Sequence, residues 1–280
     1  MNNLKTVGLL AFMAALLGLI AISLGQSIWV GLGIAAVFNL GAYFFSDKLA
    51  LASSRAKPVE EHELPQVYSI VRALATQTNM PMPRIYVIDS PQPNAFATGR
   101  SPNHAAVAVT SGILQIMTYE ELQGVLAHEL AHVRNRDILI SSIAAMIGSA
   151  IAILARSALW FGGGRDRENP LGAVGALIAL IVGPMAAVVI RMGISRAREY
   201  QADRTGAEIT GQPMQLASAL AKIGQATAQI PMNVDPAFSQ LYIDNPLKAL
   251  RGGSLLRMLS THPPVEERIE RLREMAYGPR

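Results

Sequence analysis

One five-residue pattern in the sequence has the residue types and the spacing to perform chemistry: His128-Glu129-Leu130-Ala131-His132, or H-E-x-x-H. Residues four apart lie on one face of a helix, so His128 and His132 could hold one metal ion between them. Neutral imidazoles suit zinc, and zinc with an open position lowers the pKa of a water molecule to about 7. Glu129 could then take the proton of that water and pass it to a departing amine. The pattern indicates a zinc-dependent hydrolase, although two surface histidines on an ordinary helix would share its spacing.

A zinc site of this kind needs a third protein ligand, and Glu199 in the charged segment S-R-A-R-E-Y-Q-A-D is the candidate. Glu199 and Asp203 are four residues apart and therefore face the same way on a helix. Glu199 could bind the metal while Asp203 orients a ligand histidine through its other ring nitrogen. A solvated helix with ordinary i,i+4 charge pairing fits this spacing equally well. The remaining histidines make no zinc-ligand spacing with the pair: His62, His104 and His262.

The composition points to a membrane protein that carries an aqueous domain. Of the 280 residues 51% are hydrophobic and 16% are charged, which excludes a disordered chain and lies below the charge content of soluble domains. The deficit is local, because no charged residue occurs in the ranges 6–46, 138–155 and 169–190. The remaining segments carry all of the charge and have the composition of a soluble domain.

The cysteine count and the charge exclude further classes. The absence of cysteine excludes disulfides, thiolate-bound metal and a cysteine nucleophile. The net charge of +4 does not indicate nucleic-acid binding, because the basic residues cluster where apolar segments end and form no run interleaved with aromatic residues. These residues are better explained by orientation in a membrane.

Four apolar segments, 6–25, 28–45, 138–160 and 171–190, approach the roughly 20 residues that a membrane-spanning helix needs. The first two predict a tight helical hairpin and an uncleaved anchor rather than a signal peptide. The last two could alternatively be buried core helices of a soluble protein. The positive-inside rule places both termini and both large polar segments in the cytoplasm, because Lys and Arg flank the spans on that side.

The polar segments predict a mainly α fold with a small β-sheet, that is, an α+β class. Periodic apolar residues predict a helix over 60–79, and strands are expected at 84–89, 94–99 and 105–110. Thr118 followed by Glu121 is a capping box, so the helix that carries H-E-x-x-H should begin near Tyr119. Two further helices are expected near 214–228 and 264–276.

The order of motifs and spans is specific to one family. The histidine pair ends six residues before the third span and Glu199 lies nine residues after the fourth, so an antiparallel pair of spans would bring them together at the cytoplasmic membrane face. With an N-terminal hairpin, H-E-x-x-H, two further spans and then E-x-x-x-D, the sequence resembles the HtpX membrane metalloproteases over its whole length. These are gluzincins and relatives of the type I CaaX prenyl proteases.

The resemblance implies roles for the motif residues and for the protein. It implies that His128, His132 and Glu199 bind one zinc ion per subunit, that Glu129 is the general base and that Asp203 supports a ligand histidine. It also implies a multi-pass, zincin-like endoprotease of the bacterial inner membrane, with its active site in the cytoplasm. Its substrates would be protein chains, in particular misfolded membrane proteins under stress. The oligomeric state stays open.

Two further segments match the family more weakly. Asn94, Ala95, Phe96 and Ala97 resemble the strand bordering the family's cleft, which could pair with an extended substrate, although a plain core strand fits equally well. His262 in T-H-P-P resembles a C-terminal His-Pro element and could stabilise an oxyanion. A proline-fixed turn at a helix start is the alternative for His262.

These inferences divide the chain into four parts: a transmembrane hairpin (1–47), a first cytoplasmic protease segment (48–137), a second transmembrane pair (138–190) and a second protease segment (191–280). A transporter component is disfavoured, because no Asp, Glu, Lys or His lies within a predicted span. A catalytically inactive membrane scaffold is the other alternative, but every motif residue is present.

Overall fold

The computed structural model describes residues 2–23, 25–162, 195–249 and 263–278. Within them, nine α-helices accompany one four-stranded sheet, which confirms the predicted mainly α class with a small sheet. The helices are α1 (Asn2–Ser23), α2 (Ile28–Ser53), α3 (Pro65–Gln77), α4 (Ser111–Ile116), α5 (Tyr119–Arg134), α6 (Asp137–Gly162), α7 (Arg196–Thr210), α8 (Pro213–Gln229) and α9 (Val265–Tyr277).

The sheet is mixed and has the order β1-β2-β4-β3. Its strands are β1 (Lys57–Pro58), β2 (Arg84–Ile88), β3 (Ala95–Gly99) and β4 (Ala105–Thr110). β2 and β4 run parallel, whereas β1 pairs with β2 and β3 pairs with β4 in antiparallel fashion. The three predicted strands are present within one residue of their predicted ends. β3 is an edge strand of this sheet, and among the described residues no strand pairs with its outer side.

Both faces of the β3–β4 pair are covered, and each face has its own core. Ala95, Ala97, Val107 and Val109 face a cluster with apolar residues of α3, α5, α8 and α9. Phe96 and its neighbours on the opposite face pack against residues that include Tyr242, with ring centroids 4.9 Å apart. A sheet buried on both faces explains why every residue of β3 and β4 is buried and why neither strand alternates polar with apolar residues.

The site helix α5 begins where its cap predicts. The Thr118 side chain accepts from the Glu121 N–H, and the Glu121 carboxylate accepts from the Thr118 N–H. These reciprocal bonds satisfy two N–H groups that a helix start leaves unpaired. α5 ends at Arg134, and only Asn135 and Arg136 separate it from α6.

The helix predicted over 60–79 begins later, at Pro65. Proline is favoured in the first turn of a helix and disfavours helical geometry in the residue before it, so it sets the start here. The preceding residues form a turn in which the Glu63 carboxylate accepts from the Glu60 N–H at 2.6 Å. The apolar periodicity correctly indicated the helix but extended it across a turn.

The apolar segments form helices wherever the structure describes them. α1 and α2 lie side by side, with the Asn39 side chain donating to the Leu10 carbonyl at 3.1 Å. Within the described ranges, α2 is the one helix long and apolar enough to cross a membrane, and shorter apolar stretches lie at Thr6–Ala15 and Asp137–Ser149. The predicted third span (138–160) lies within α6, and the predicted fourth span (171–190) lies outside the described residues. The number of spans therefore stays a prediction.

Candidate metal centre

The site forms where α7 crosses α5, and a glycine permits the close approach. A Cβ atom at Gly206 would lie 2.9 Å from the backbone nitrogen of His128, closer than real Cβ contacts come. The α7 backbone therefore rests directly on the α5 backbone beside the first histidine of the motif. From this crossing, Glu199 and Asp203, both buried, face the H-E-x-x-H helix.

Three potential metal-binding side chains converge at the crossing. The Nε2 atoms of His128 and His132 lie 3.2 Å apart. The Glu199 carboxylate lies 3.9 Å from His128 Nε2 and 3.5 Å from His132 Nε2. One ligand atom from each of the three residues lies within 4.8 Å of the other two. The structure thus brings together the three residues that the sequence predicted as zinc ligands.

Each histidine has a carboxylate on its other ring nitrogen. His128 Nδ1 lies 2.9 Å from Asp203 Oδ1, and His132 Nδ1 lies 3.2 Å from Asp137 Oδ2. A carboxylate accepts the Nδ1–H of a neutral imidazole, which leaves the Nε2 lone pair available. Two lone pairs and the Glu199 carboxylate then face one another in a buried space. Such a donor set fits Zn²⁺, which prefers imidazole nitrogen and carboxylate oxygen.

The negative charge around His132 also favours a cation at this site. Burial lowers the pKa of His132, but the nearby carboxylates of Glu199, Asp137 and Glu129 outweigh burial and raise this pKa to about 9. The surrounding negative charge therefore favours a positive charge at this imidazole. A proton or a metal ion can supply it, and bound zinc would replace the proton.

Glu129 lies beside the proposed ligands. Its side chain is buried and lines the same cavity as the three ligands and Ala97. Burial raises the pKa of Glu129, although the two histidines and a hydrogen bond from the Ala97 backbone act in the opposite direction. A raised pKa brings a carboxyl group closer to the working pH, where it can both accept and return a proton.

The predicted substrate strand 94–97 is only partly directed towards the cavity. Ala97 lines the cavity, while the Ala95 carbonyl accepts from the Ile243 N–H at 2.9 Å. The Asn94 amide donates to the Asp244 carbonyl at 2.8 Å, and Phe96 packs in the core on the far face of the sheet. Much of this strand therefore has partners within the chain. His262, predicted to stabilise an oxyanion, lies outside the described residues.

Sequence reasoning missed two residues that support the ligands, Arg268 and Asp137. Arg268 is buried and donates to both Asp203 oxygens, at 2.7 and 2.8 Å, and to the Ile243 carbonyl at 2.8 Å. Burial raises the pKa of Asp203, but Arg268 outweighs it and holds this pKa at about 2. The only signal for Asp137 is its place at the start of an apolar helix, five residues after His132. In the sequence, Arg268 has glutamates and arginines as neighbours, a composition typical of a surface helix.

A buried H-E-x-x-H helix crossed by a second helix that supplies a glutamate defines the class of the protein as a zinc metallopeptidase. Residues 61–276 match Peptidase family M48, and the chain belongs to this family. This confirms the zinc-protease interpretation of the sequence and the predicted zinc cofactor.

Comparison with individual proteins gives the same result. The chain is 48% identical to a protein named "Protease HtpX homolog" from Syntrophobacter fumaroxidans, covering 98% of this chain and 99% of that protein. It is 49% identical to a protein of the same name from Desulfatibacillum aliphaticivorans, and the match covers 97% of this chain and 89% of that protein. It is 48% identical to a third protein of this name, from Burkholderia thailandensis, and the match covers 98% of this chain and 97% of that protein. The resemblance to the HtpX proteases is confirmed, and the chain is a membrane-associated zinc metalloprotease that acts on protein substrates.

A more distant structural relative shares the fold. A crystal structure of Ste24p from S. mikatae superposes with a TM-score of 0.52 at 20% sequence identity. The match covers 97% of this chain and 65% of the other, so this chain spans about two thirds of that protein's length. At this sequence identity the likeness shows a shared fold.

Proposed function

We propose that this chain is a multi-pass endopeptidase in which His128, His132 and Glu199 bind one zinc ion and Glu129 is the general base. The observation that carries the proposal is the convergence of the three ligand atoms within 4.8 Å at the buried α5–α7 crossing. A solvated charged helix, the alternative for the segment around Glu199, would leave that carboxylate in water, whereas Glu199 is 6% exposed.

The chemistry follows from the protein groups around this centre. Bound zinc supplies a Lewis acid that activates water and polarises the peptide carbonyl. Asp203 and Asp137 hold the two imidazoles so that their Nε2 atoms face the centre. Glu129 takes a proton from the attacking water and delivers it to the departing amine. The Ala97 carbonyl, at the outer edge of β3, can accept a hydrogen bond from the backbone of an extended substrate beside Glu129. His262 is the proposed oxyanion stabiliser of the family's C-terminal element.

Membrane proteins with misfolded cytoplasmic segments are the proposed substrates, and the bacterial inner membrane is the proposed location. The support is the short connection between α5 and α6, which keeps the metal centre next to the apolar stretch Asp137–Ser149. Segments 1–47 and 138–190 would form four spans, and segments 48–137 and 191–280 would form the cytoplasmic protease domain. A role in quality control under stress follows from this location.

The first experiment measures zinc content and casein cleavage of the detergent-purified protein. Wild type should hold about one zinc and cut, Glu129→Ala should keep zinc but lose cleavage, and Glu199→Ala should lose both. Glu208→Ala is the matched control, because Glu208 lies on α7 in an exposed ion pair with Arg204. Wild type without zinc, or Glu129→Ala that cuts as well as wild type, would overturn the proposal and favour an inactive scaffold.

A second experiment tests the orientation and uses the absence of cysteine in this chain. Single cysteines are introduced at Ser27, between α1 and α2, and at Glu60, in the exposed turn before α3. In intact spheroplasts an impermeant maleimide should label Ser27→Cys, whereas Glu60→Cys should react only after permeabilisation. The opposite labelling pattern would contradict a cytoplasmic active site.

A further inference from the structure

A groove outside the metal centre lies at the end of α2, where this helix meets the sheet. We name it the headgroup groove and define it by Phe44, Phe45, Lys48, Arg84 and Arg100. The first three residues belong to α2, Arg84 begins β2 and Arg100 follows β3. Three separate parts of the chain thus place aromatic rings and cations around one concave surface.

The headgroup groove lies where the apolar surface of α2 ends. One face of α2 is apolar along this whole stretch, because Trp29, Val37, Leu40 and Phe44 are 78%, 73%, 60% and 45% exposed and lie within about 80° of one another around the helix. The 18 residues 28–45 extend over about 27 Å in a helix, close to the roughly 30 Å of membrane hydrocarbon. The first charged residues on α2, Asp47 and Lys48, follow immediately. If α2 spans the bilayer, the groove therefore lies at its water boundary.

The charges in the groove are unbalanced. Arg84 pairs with Asp47 at 2.9 Å. Neither Lys48 nor Arg100 has a carboxylate partner among the residues that the structure describes. Instead, the Lys48 ammonium lies 5.3 Å from the Phe45 ring centroid, and the Arg100 guanidinium lies 5.2 Å from the Phe44 ring centroid. Two cations thus lie over aromatic rings, and no side-chain hydrogen bond from either is seen within the described part of the chain, so their N–H groups can donate to a ligand.

We infer that the headgroup groove binds the headgroup of an anionic phospholipid. The phosphate accepts from Lys48 and Arg100, and the acyl chains lie along Phe44, Phe45 and the exposed apolar face of α2. An acidic peptide would satisfy the two cations but would not use this continuous apolar surface. A phospholipid matches both features at the boundary where basic and aromatic residues anchor proteins to membranes. This inference goes beyond peptide hydrolysis and does not depend on it.

Lipid binding here also contacts the catalytic part of the fold. Arg100 directly follows β3, whose Ala97 lines the metal-centre cavity. A bound headgroup would connect the end of this strand to α2, the proposed membrane helix. The lipid would thereby hold the protease domain at a fixed height above the bilayer.

The test counts lipids on the full-length protein by native mass spectrometry. The protein in mild detergent is titrated with dioctanoyl phosphatidylglycerol and, separately, with dioctanoyl phosphatidylcholine. The variant Lys48→Gln/Arg100→Gln removes both free cations. The control Arg271→Gln/Arg273→Gln removes the same charge from the exposed face of α9, where Arg271 lies 3.8 Å from the Tyr200 ring centroid. Both variants therefore lose two cations and at least one contact between a cation and an aromatic ring.

Wild type should bind phosphatidylglycerol more tightly than phosphatidylcholine. Loss of both groove cations should weaken phosphatidylglycerol binding about thirtyfold, since each cation near an anionic surface contributes roughly a fivefold gain. The α9 control should bind like wild type. Equal binding of both lipids, or equal effects of the two double variants, would overturn the inference. Competition by a soluble poly-glutamate peptide at equal charge would assign the groove to acidic protein segments and also overturn it. Zinc content and casein cleavage are measured separately, so a failure here leaves the proposed function untouched.

Discussion

The two histidines proposed as zinc ligands lie in different surroundings. His128 has a side chain 1% exposed, and its partner Asp203 has both carboxylate oxygens bound to Arg268. His132 has a side chain 15% exposed, and its partner Asp137 has a more distant cation in Arg198, 4.0 Å away. The His128 side is thus a closed network of buried charges, and the His132 side is looser.

The two histidines also differ in how far along the sequence their supporting residues lie. The His128 network joins α5, α7 and α9, whereas His132 and Asp137 are five residues apart and joined by a short turn. The closed network can form only once distant helices have packed. The local contact follows almost directly from the geometry of the α5–α6 connection. We therefore expect substitutions on the His128 side to affect both folding and zinc binding, and those on the His132 side to affect mainly zinc binding.

The largest effect is expected for Asp203→Asn. This change removes the negative charge that pairs with the buried Arg268, and it replaces one of the two acceptor oxygens that Arg268 and His128 share by an N–H donor. Zinc affinity should fall by about 10–100-fold, and the free energy of unfolding should fall by about 3–5 kcal/mol. Competition with a chelating dye measures the first, and denaturation of the zinc-free protein measures the second. In the double variant Asp203→Asn/Arg268→Met, stability should largely return while zinc affinity stays low. A fall in zinc affinity without any loss of stability would show that the buried pair is not the source of the difference.

Gly206→Ala should have the next largest effect, because the new methyl group meets the His128 backbone at 2.9 Å. Moving α7 away from α5 should lower the free energy of unfolding by about 1–3 kcal/mol and also weaken zinc binding. Gly41→Ala is the control, since a Cβ there meets nothing within 4 Å. Thermal unfolding of the two variants side by side gives the comparison. Equal midpoints would mean that the α5–α7 crossing tolerates a wider spacing.

Asp137→Asn should lower zinc affinity by about tenfold, because the amide no longer supports His132 as a carboxylate does. Stability of the zinc-free protein should fall less than in Asp203→Asn, since Arg198 lies 4.0 Å from Asp137, whereas Arg268 is bound to both Asp203 oxygens. Asp89→Asn on the exposed surface is the matched control. If Asp137→Asn destabilised the zinc-free protein as much as Asp203→Asn, the contrast between the two sides would be wrong.

The smallest effect is expected on the pH dependence of stability, and it comes from Glu121 at the start of α5. Burial raises the pKa of Glu121, but hydrogen bonds from Lys222, the Thr118 backbone and Ser218 outweigh it, so the folded-state pKa lies below 4.5. A depressed folded pKa contributes stability above the unfolded pKa and loses it as the pH falls through the folded value. Stability of the zinc-free protein should therefore drop below about pH 4.5, and Glu121→Gln should make this drop shallower. Glu120→Gln, exposed on the same turn, should leave the slope unchanged. If the loss of stability with falling pH were as steep in Glu121→Gln as in wild type, other groups would be responsible for it.

Local patterns predicted much of the fold and the three side chains that converge at the α5–α7 crossing. The capping box at Thr118 and Glu121 located the start of α5, and i,i+4 spacing paired His128 with His132 and Glu199 with Asp203, because helix geometry repeats over one turn. Arg268 could not be recognised, since its burial depends on α9 packing against two helices distant in sequence. The start of α3 was misjudged because periodicity registers apolar positions and not the turn that precedes Pro65.

The short connection between α5 and α6 has a mechanical consequence. α6 has 26 residues and is therefore about 39 Å long, while Asp137, its first residue, adjoins the two-residue turn. If α6 tilts about this turn as the bilayer thickness changes, its far end sweeps several ångströms, whereas the carboxylate beside His132 moves only about a tenth as far. If α6 is one of the proposed membrane spans, the proposed metal centre would lie at the pivot of this movement, and its geometry would depend little on bilayer thickness.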